Sequence, residues 1–562
     1  MNIDYKKHIA SKIKLDGISY EQLCNSVVIA DNIAHGDYSL PCFKFSKELR
    51  LSPQAIADKI KDSFELDDIV KSVDVLSGYV NFKLDRKAFV KNALAIATKK
   101  GADFKPLKAN KKTVCIDYSS INIAKPFHIG HLLTTAIGGS LYRIYKYLGY
   151  SVVGINHLGD WGTQFGKLIV AYKKWGSREK IEKGGISALT EIYVKFHDEA
   201  KNDKSLEDEA RHYFKKIEDG DSEALELFEW FKQITMIEVQ AVYKKLGIEF
   251  DSYNGEAFYN DKMDAVVDEL KTKNLLTTSE GASVVDLEEY GMPPCLILKS
   301  DGASLYATRD LAAALYRRKH YKFDKNLYVV AYQQNLHFKQ FFKVLELMGY
   351  DWASDCVHVP FGMVSLEGGG SLSTRSGNVV YLNDVLDTAV EKTKKIIDDK
   401  NPNIKDKEQI ANAVGVGAVV FMALNSSRIK DLVFSYDRAL NFDGETAPYI
   451  QYTHARCCSI IEKAANTDAP AKPAKADGLL SDEAFSLVKL IDRFDDIVAS
   501  AATKYEPSII AKYLIDICQS FNSFYVSNKI LGDKNRLKLT ALVRAVLKNG
   551  LRLLLIEAPN KM

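Results

Sequence analysis

Cysteine is sparse and scattered in this 562-residue chain: eight in all, with only Cys457 and Cys458 adjacent and no C-x-x-C pair. That spacing argues against a zinc ribbon or a disulfide framework and suits a reducing cytoplasm. Long apolar runs are also missing, so no membrane span is expected, and residues 1–15 are too charged for a signal peptide. There is little excess charge of either sign: 76 Lys and Arg stand against 73 Asp and Glu, for a net +3. Such a balance says little about partners. Locally, residues 529–562 carry eight Lys/Arg against two Asp/Glu, a basic stretch able to meet phosphates. The glycine signatures of common nucleotide folds fail too. Gly162-x-x-x-Gly166-Lys167 is one residue short of a P-loop and lacks the following Ser/Thr, and Gly415-x-Gly417 lacks the third glycine of a dinucleotide fingerprint.

What is present is an ordinary globular composition, 46% hydrophobic and 27% charged, long enough for several domains. Residues 1–105 read as a small α/β domain, with a helix opened by Ser52-Pro53 and a hairpin turning at Ser77-Gly78. A lysine-rich link at 105–112 leads into residues 106–384. Here short apolar runs at 113–118, 152–157, 296–299, 327–332 and 356–361 alternate with helical periodicity at 132–148, 311–319 and 338–348. That alternation predicts a Rossmann-like, doubly wound parallel sheet. Residues 167–250 carry only charged helical patterning and read as an insertion into it. After about Asp384 strand signals vanish, so 385–562 is expected to be all-α, broken by a Pro/Ala/Lys-rich loop at 468–477.

The suspicious residues cluster at predicted strand ends, where open parallel sheets bind ligands. Asp117, Ser119, Asn122, Lys125, His128 and His131 follow the first strand; Tyr306, Thr308, Arg309 and Asp310 follow the third; Gln333, Gln334 and His337 follow the fourth. A Pro-x-His-x-Gly-His turn between a strand and a helix N-terminus combines free N–H groups, a positive dipole end and two imidazoles, which suits a triphosphate. Gly130 would let a flat base lie on bare backbone. The Gly-rich loop at 368–378 carries Arg375 among hydroxyls and could close on phosphates. Carboxylates repel ATP, so Asp117 and Asp310 should face something cationic. With Tyr306, Asn122 and Gln334 they would suit a planar guanidinium. Two plainer readings of Asp310 stay open: it caps a helix beginning at Leu311, or it pairs with Arg317.

These residues, read together, resemble the arginine-specific class I aminoacyl-tRNA synthetase family over nearly the whole chain. His128-Ile129-Gly130-His131 matches its H-x-G-H signature, and Asp117-Tyr-Ser-Ser-Ile-Asn-Ile-Ala-Lys-Pro-Phe-His is similar to the arginine-specific extension of it. The blocks at 156–166, Tyr306-Ala-Thr-Arg-Asp310, Gln333-Gln-Asn-Leu-His337 and 441–456 are similar as well, as are Ala34-His-Gly-Asp-Tyr38 and Gly78-Tyr-Val-Asn-Phe82 near the N-terminus. The resemblance implies that Asp117, Ser119, Asn122, Tyr306, Asp310 and Gln334 hold arginine. It implies that His128, Gly130, His131, Lys125, Ser373, Thr374 and Arg375 hold ATP. His128, His131, Lys125 and Arg375 are the implied catalytic groups. Ser373-Thr374-Arg375-Ser376-Gly377 corresponds to a degenerate K-M-S-K loop, with Lys125 compensating for its absent lysines.

The resemblance further implies ATP with Mg²⁺, an arginine tRNA as partner, an outer-corner tRNA domain at 1–105 and an anticodon-binding domain at 385–562. Tyr449, Tyr452 and Arg456 are tRNA-binding candidates. A cytoplasmic monomer is expected, with no dedicated protein cage for the metal. Three departures stand out: Ile121 for proline, Ala447 for glycine, and Leu133 for an arginine whose loss would remove a cation near ATP. A small-molecule nucleotidyltransferase and a non-catalytic tRNA-binding paralogue are the rival readings.

Overall fold

The apolar run before the His-x-Gly-His turn becomes an inner strand of a parallel sheet. A computed structural model describes residues 4–30, 36–101, 104, 106–300, 306–367, 380–466 and 479–562. The chain divides into two compact units. One comprises Met1–Phe104, Cys457–Phe494 and Asp516–Val546; the other comprises Lys105–Arg456, Asp495–Ile515 and Leu547–Met562.

In the first unit a four-stranded antiparallel sheet runs in the order Val28–Ile29, Tyr38–Pro41, Tyr79–Leu84, Val70–Leu76. Its expected hairpin turns at Ser77 and Gly78, both with positive φ (49° and 76°), as a tight two-residue turn matched to strand twist requires. Helix Pro53–Ser63 starts as expected. The Ser52 hydroxyl accepts from Ala55 N, and Pro53 fills the first helical position, where no N–H is needed. Helix Asp482–Asp492 returns to this unit, where Arg86 lies over Phe485 (4.8 Å) and pairs with Asp482 (2.8 Å).

The second unit holds strands β1 (Thr113–Asp117), β2 (Ser151–Ile155), β3 (Lys325–Tyr328) and β4 (Cys356–His358), all parallel, in the order β4-β3-β1-β2. Helix α1 (Leu132–Tyr147) links β1 to β2, and the chain then crosses to β3 on the other side of β1. The order therefore reverses between β1 and β3, the switch point at which such sheets open a crevice. The helical insertion is present. Its last helix, α2 (Ser222–Leu246), returns to the crevice loop, where the Thr235 hydroxyl accepts from Ala124 N (3.0 Å).

Three expectations need correction. The run at 296–299 does not join the parallel sheet. Cys295–Leu298 lies in a separate antiparallel sheet with Leu276–Ser279 and Ala282–Val285. Its alternation decides this: Cys295 and Ile297 are buried while Leu296 is half exposed, the mark of a sheet with one solvated face. Strand structure also continues past residue 384, since Leu432–Phe434 pairs in parallel with Val364–Leu366; three residues are too few to leave a periodic signal. Finally, helix Lys407–Leu424 is long and apolar enough to cross a membrane, with mean hydropathy 1.2, but 78% of it is buried inside this unit. A core helix of that kind is apolar all round.

Where α1 crosses the end of β1, Gly138 leaves room for Tyr118. A Cβ at Gly138 would lie 2.2 Å from Tyr118 Cβ and Cγ. Gly138→Ala gains about 1 kcal/mol of helix propensity, but overpacking of this kind costs about 1–3 kcal/mol. The variant is expected to unfold at lower temperature than the parent in a thermal scan. An unchanged or higher midpoint would show that the crossing is not tight.

Candidate active site

The loop leaving β1 is strained and firmly tied. Ser119, Ser120 and Ala124 all have positive φ (67°, 38° and 58°), a conformation that persists only when surroundings enforce it. Ser119 N donates to the Thr134 hydroxyl (3.0 Å), which donates to Val329 O (2.8 Å), so the loop is bound to both α1 and the exit of β3. The Ser119 hydroxyl bonds those of Thr135 (2.9 Å) and Tyr243 (2.7 Å), a buried network directed toward α1 and α2. Asn122 is exposed, and its Oδ1 sits where a Cβ on Gly159 would come within 2.3 Å. Gly159 also exchanges backbone bonds with Ile121 and Ile123, so only glycine lets the two loops meet so closely.

The signature turn organises itself. His128 Nδ1 accepts from Gly130 N (3.0 Å), and His131 Nδ1 accepts from His128 N (3.2 Å). The neutral His128 ring therefore carries its proton on Nε2, the nitrogen not engaged with backbone, where it can serve as a donor, while His131 Nδ1 lies 3.2 Å from both the N and the O of His128. Burial lowers the His128 pKa, and burial followed by the neighbouring His128 lowers that of His131 to about 3. Both rings are neutral at physiological pH. The space that a Cβ on Gly130 would take is filled by the His128 ring, 2.7 Å away, rather than left bare for a base. Leu133 is buried in α1, so the missing cation there concerns a position turned into the core.

Arg375, Ser373 and Thr374 lie outside the described residues. The chain re-enters at Val380 beside the signature: Ile129 N donates to Val380 O (3.0 Å) and Leu382 N to Phe127 O (2.9 Å).

The carboxylates form the other half of the crevice. Asp117, at the end of β1, is fully committed: Arg317 Nη2 contacts Oδ2 at 2.7 Å and Ser120 Oγ donates to Oδ1 at 2.7 Å. Arg317 lies on α3 (Tyr306–Tyr321), seven residues after Asp310 and so on the same face two turns along. It is Asp117, not Asp310, that takes Arg317. Nor does Asp310 cap a helix, because it lies inside α3. Instead its Oδ2 meets His337 Nε2 at 2.6 Å, at the start of α4 (Asn335–Leu347). Although burial would raise the Asp310 pKa, the hydrogen bond to His337 and the nearby His157 and Arg317 hold it below the ordinary value. Among the described residues its Oδ1 has no hydrogen-bond partner.

Glu256, missed in the sequence, pairs with Arg309 (3.3 Å); burial, with Asp310 and Asp160 nearby, pushes it up to about 7 against the pull of Arg309 and Lys125. Asp160 pairs with Lys232 (2.7 Å). Lys125 acts electrostatically on both Glu256 and His131, and so joins the carboxylate half of the crevice to the imidazole half. Tyr306 and Gln334 are exposed beside these groups in the chain and make no close contact with them. The tRNA candidates Tyr449, Tyr452 and Arg456 stand on helix Ala447–Ala465, where Arg456 lies 4.9 Å over the half-exposed Tyr452 ring.

Comparison with known proteins is consistent along the whole length. A family model described as tRNA synthetases class I (R), catalytic domain, matches residues 90–436; the DALR anticodon binding domain matches 450–562; the arginyl tRNA synthetase N terminal domain matches 4–84. The arginine–tRNA ligase of Alkaliphilus metalliredigens is 48% identical and that of Clostridium botulinum 50% identical, each over 100% of both chains. The solved arginyl-tRNA synthetase of Thermus thermophilus aligns with TM-score 0.82 at 26% identity, covering 95% of this chain and 96% of its own. That of Plasmodium falciparum aligns with TM-score 0.80 at 25% identity, covering 99% and 97%.

Two outcomes follow from this geometry. Arg317→Met leaves Asp117 as a buried, uncompensated charge and is expected to cost about 3–5 kcal/mol, with the double variant Asp117→Asn/Arg317→Met recovering much of it. Denaturant unfolding of the three proteins measures this, and equal losses in single and double variants would mean the pair is not coupled. His131 has a lower pKa folded than its ordinary 6.5, so the unfolded chain binds the extra proton first. Its contribution to stability is complete above pH 6.5 and is lost as pH falls toward 3. Acidification below 6.5 should therefore lower the unfolding midpoint less in His131→Asn than in the parent.

Proposed function

The chain belongs to the arginine-specific class I tRNA synthetases and joins L-arginine to tRNA at the expense of ATP, and from that premise we propose how its crevice divides the work. Arginine binds with its guanidinium on Asp310 Oδ1. Supporting this, Asp310 keeps one carboxylate oxygen without a partner among the described residues, its other oxygen meeting His337, while Asp117, Glu256 and Asp160 are each paired with arginine or lysine. Asn122, Tyr306 and Gln334 complete the acceptor set. Asp117 and Ser119 serve from beneath: one through the charge it shares with Arg317, the other by fixing the strained loop.

ATP lies over the signature turn at the N-terminus of α1. The imidazoles of His128 and His131, with Lys125 and Arg375, face its phosphates; Gly130, Ser373 and Thr374 complete the cradle. The arginine carboxylate attacks the α-phosphate in line, forming arginyl-adenylate and releasing pyrophosphate. The 2′-hydroxyl of the terminal tRNA adenosine then attacks the acyl carbon and AMP leaves. Protein groups position the reactants and neutralise phosphate charge, and no covalent protein intermediate forms. Mg²⁺ arrives as part of the ATP substrate, held mainly by phosphate oxygens.

The remaining assignments rest on the same family membership. Residues 1–105 meet the outer corner of tRNA, 106–384 carry the catalysis, and 385–562 read the anticodon, with Tyr449, Tyr452 and Arg456 among the contacts. All eight cysteines are free thiols, in keeping with a reducing cytoplasm, where the protein acts as a monomer.

A charge-assisted hydrogen bond contributes about 1.5–3 kcal/mol. Asp310→Ala is therefore expected to raise the arginine KM in aminoacylation by about tenfold or more, and an unchanged KM would remove Asp310 from the pocket. Lys125→Ala should lower kcat with far less effect on the arginine KM; the reverse split would place Lys125 with arginine rather than with ATP.

A further inference from the structure

Among the described residues His337 is the one side chain hydrogen-bonded to the Asp310 carboxylate, and the proposed reaction gives it nothing to do. The 2.6 Å contact uses Asp310 Oδ2 and His337 Nε2, leaving Oδ1 to receive a guanidinium. Both side chains are about one-quarter exposed, so each is reachable from the crevice. Building on the assignment of Asp310 to the substrate guanidinium, we infer that His337 is a positioning residue that aims Asp310 and gives up one proton when arginine binds.

Burial alone would lower the His337 pKa, but its hydrogen bond to Asp310 and the charge of that carboxylate outweigh burial and raise it. Near neutrality and below, Asp310 is therefore shared with an imidazolium. A guanidinium placed on Oδ1 adds a second cation to one carboxylate. The least costly relief is loss of the Nδ1 proton of His337 to the surrounding buffer, with the Nε2–H···Oδ2 bond kept. No other bond forms or breaks. The ring stays where it is, facing Phe341 at 6.2 Å between ring centres, and Asp310 stays aimed.

Other groups around the pair respond differently. Arg317 remains charged, while burial raises Tyr328 on β3 and pushes the Cys295 thiol up to about 12, out of range. His157, after β2, and His358, on β4, are lowered chiefly by burial, and Glu256 is raised to about 7 by burial with Asp310 and Asp160. Glu256 and His157 are thus the competing proton sources in the same pH range.

Calorimetric titration of the full-length protein with L-arginine, in buffers of different ionisation enthalpy between pH 5.5 and 8, counts the protons released. The expected result is a release approaching one proton below the His337 titration point and falling away above it. Arginine affinity should fall by about tenfold per pH unit below the His337 titration point. His337→Gln keeps an N–H donor for Oδ2 but cannot titrate; it should bind arginine without proton release and with a flat pH dependence. No release in the parent, or an equal release in His337→Gln, overturns the inference, the second result assigning the proton to Glu256 or His157. NMR titration of His337 in the parent, with and without arginine, gives the same test without a variant: its pKa should drop on binding, and an unmoved pKa refutes the claim. Asp310→Asn separates the two levels. Arginine affinity unchanged in that variant means the pocket assignment itself has failed; weakened affinity with no proton release in the parent means only the role of His337 has.

Discussion

A buried ion pair at the switch point of the parallel sheet holds the crevice in shape. Arg317, 1% exposed, reaches from α3 to Asp117 at the end of β1, with the Tyr328 ring of β3 5.5 Å away. The pair joins the helix after the antiparallel sheet to the strand before the signature turn. Its cost is visible, because Arg317 Nε and Nη1 are buried with no hydrogen-bond partner among the described residues. Buried pairs of this kind specify geometry more readily than they add stability. Here the geometry specified is the register of α3. Two turns before Arg317, that register presents Asp310 to the crevice.

The crevice then divides by charge. At one end two imidazoles, kept neutral by burial and bound to backbone through Nδ1, stand beside the N-terminus of α1, with His128 offering an Nε2–H donor. At the other, carboxylates lie close together, and all but Asp310 are neutralised by arginine or lysine partners. Lys125 stands electrostatically between the two. This arrangement suits a substrate with a cation at one end and a carboxylate at the other. In the proposed reading the cation is drawn to Asp310, and the carboxylate is turned toward the phosphates whose repulsion the histidines and Lys125 reduce. On the same proposal, selectivity for a guanidinium over a single ammonium would come from acceptors that an ammonium leaves unpaired.

Much of this was legible in the residues themselves. β1, the turn and α1 show as a strand run, a Pro-x-His-x-Gly-His motif and a 3.6-residue period, all set by local chemistry. The helical insertion and the Ser77-Gly78 hairpin were legible for the same reason. What escaped was decided across elements. Cys295–Leu298 is a short apolar run, and only its pairing with Ala282–Val285 shows which sheet it joins. Arg317 had two acidic neighbours within reach, and the strand end rather than the helix took it. Ser119 carries a hydroxyl at a suggestive position, yet the positive φ there turns it into the Thr135–Tyr243 network. Glu256 and His337 belong to no periodic pattern, and their importance rests on partners distant in sequence.

The central claim is that Asp310 Oδ1 receives the substrate guanidinium in the same crevice where His128 and His131 face ATP. A crystal structure of the protein with L-arginine and a non-hydrolysable ATP analogue tests it most directly. The expected result is a guanidinium nitrogen within hydrogen-bond distance of Asp310 Oδ1, the Asp117–Arg317 pair intact, and the arginine carboxylate directed at the α-phosphate. A guanidinium bound away from Asp310, or one that displaces Arg317 from Asp117, would contradict it.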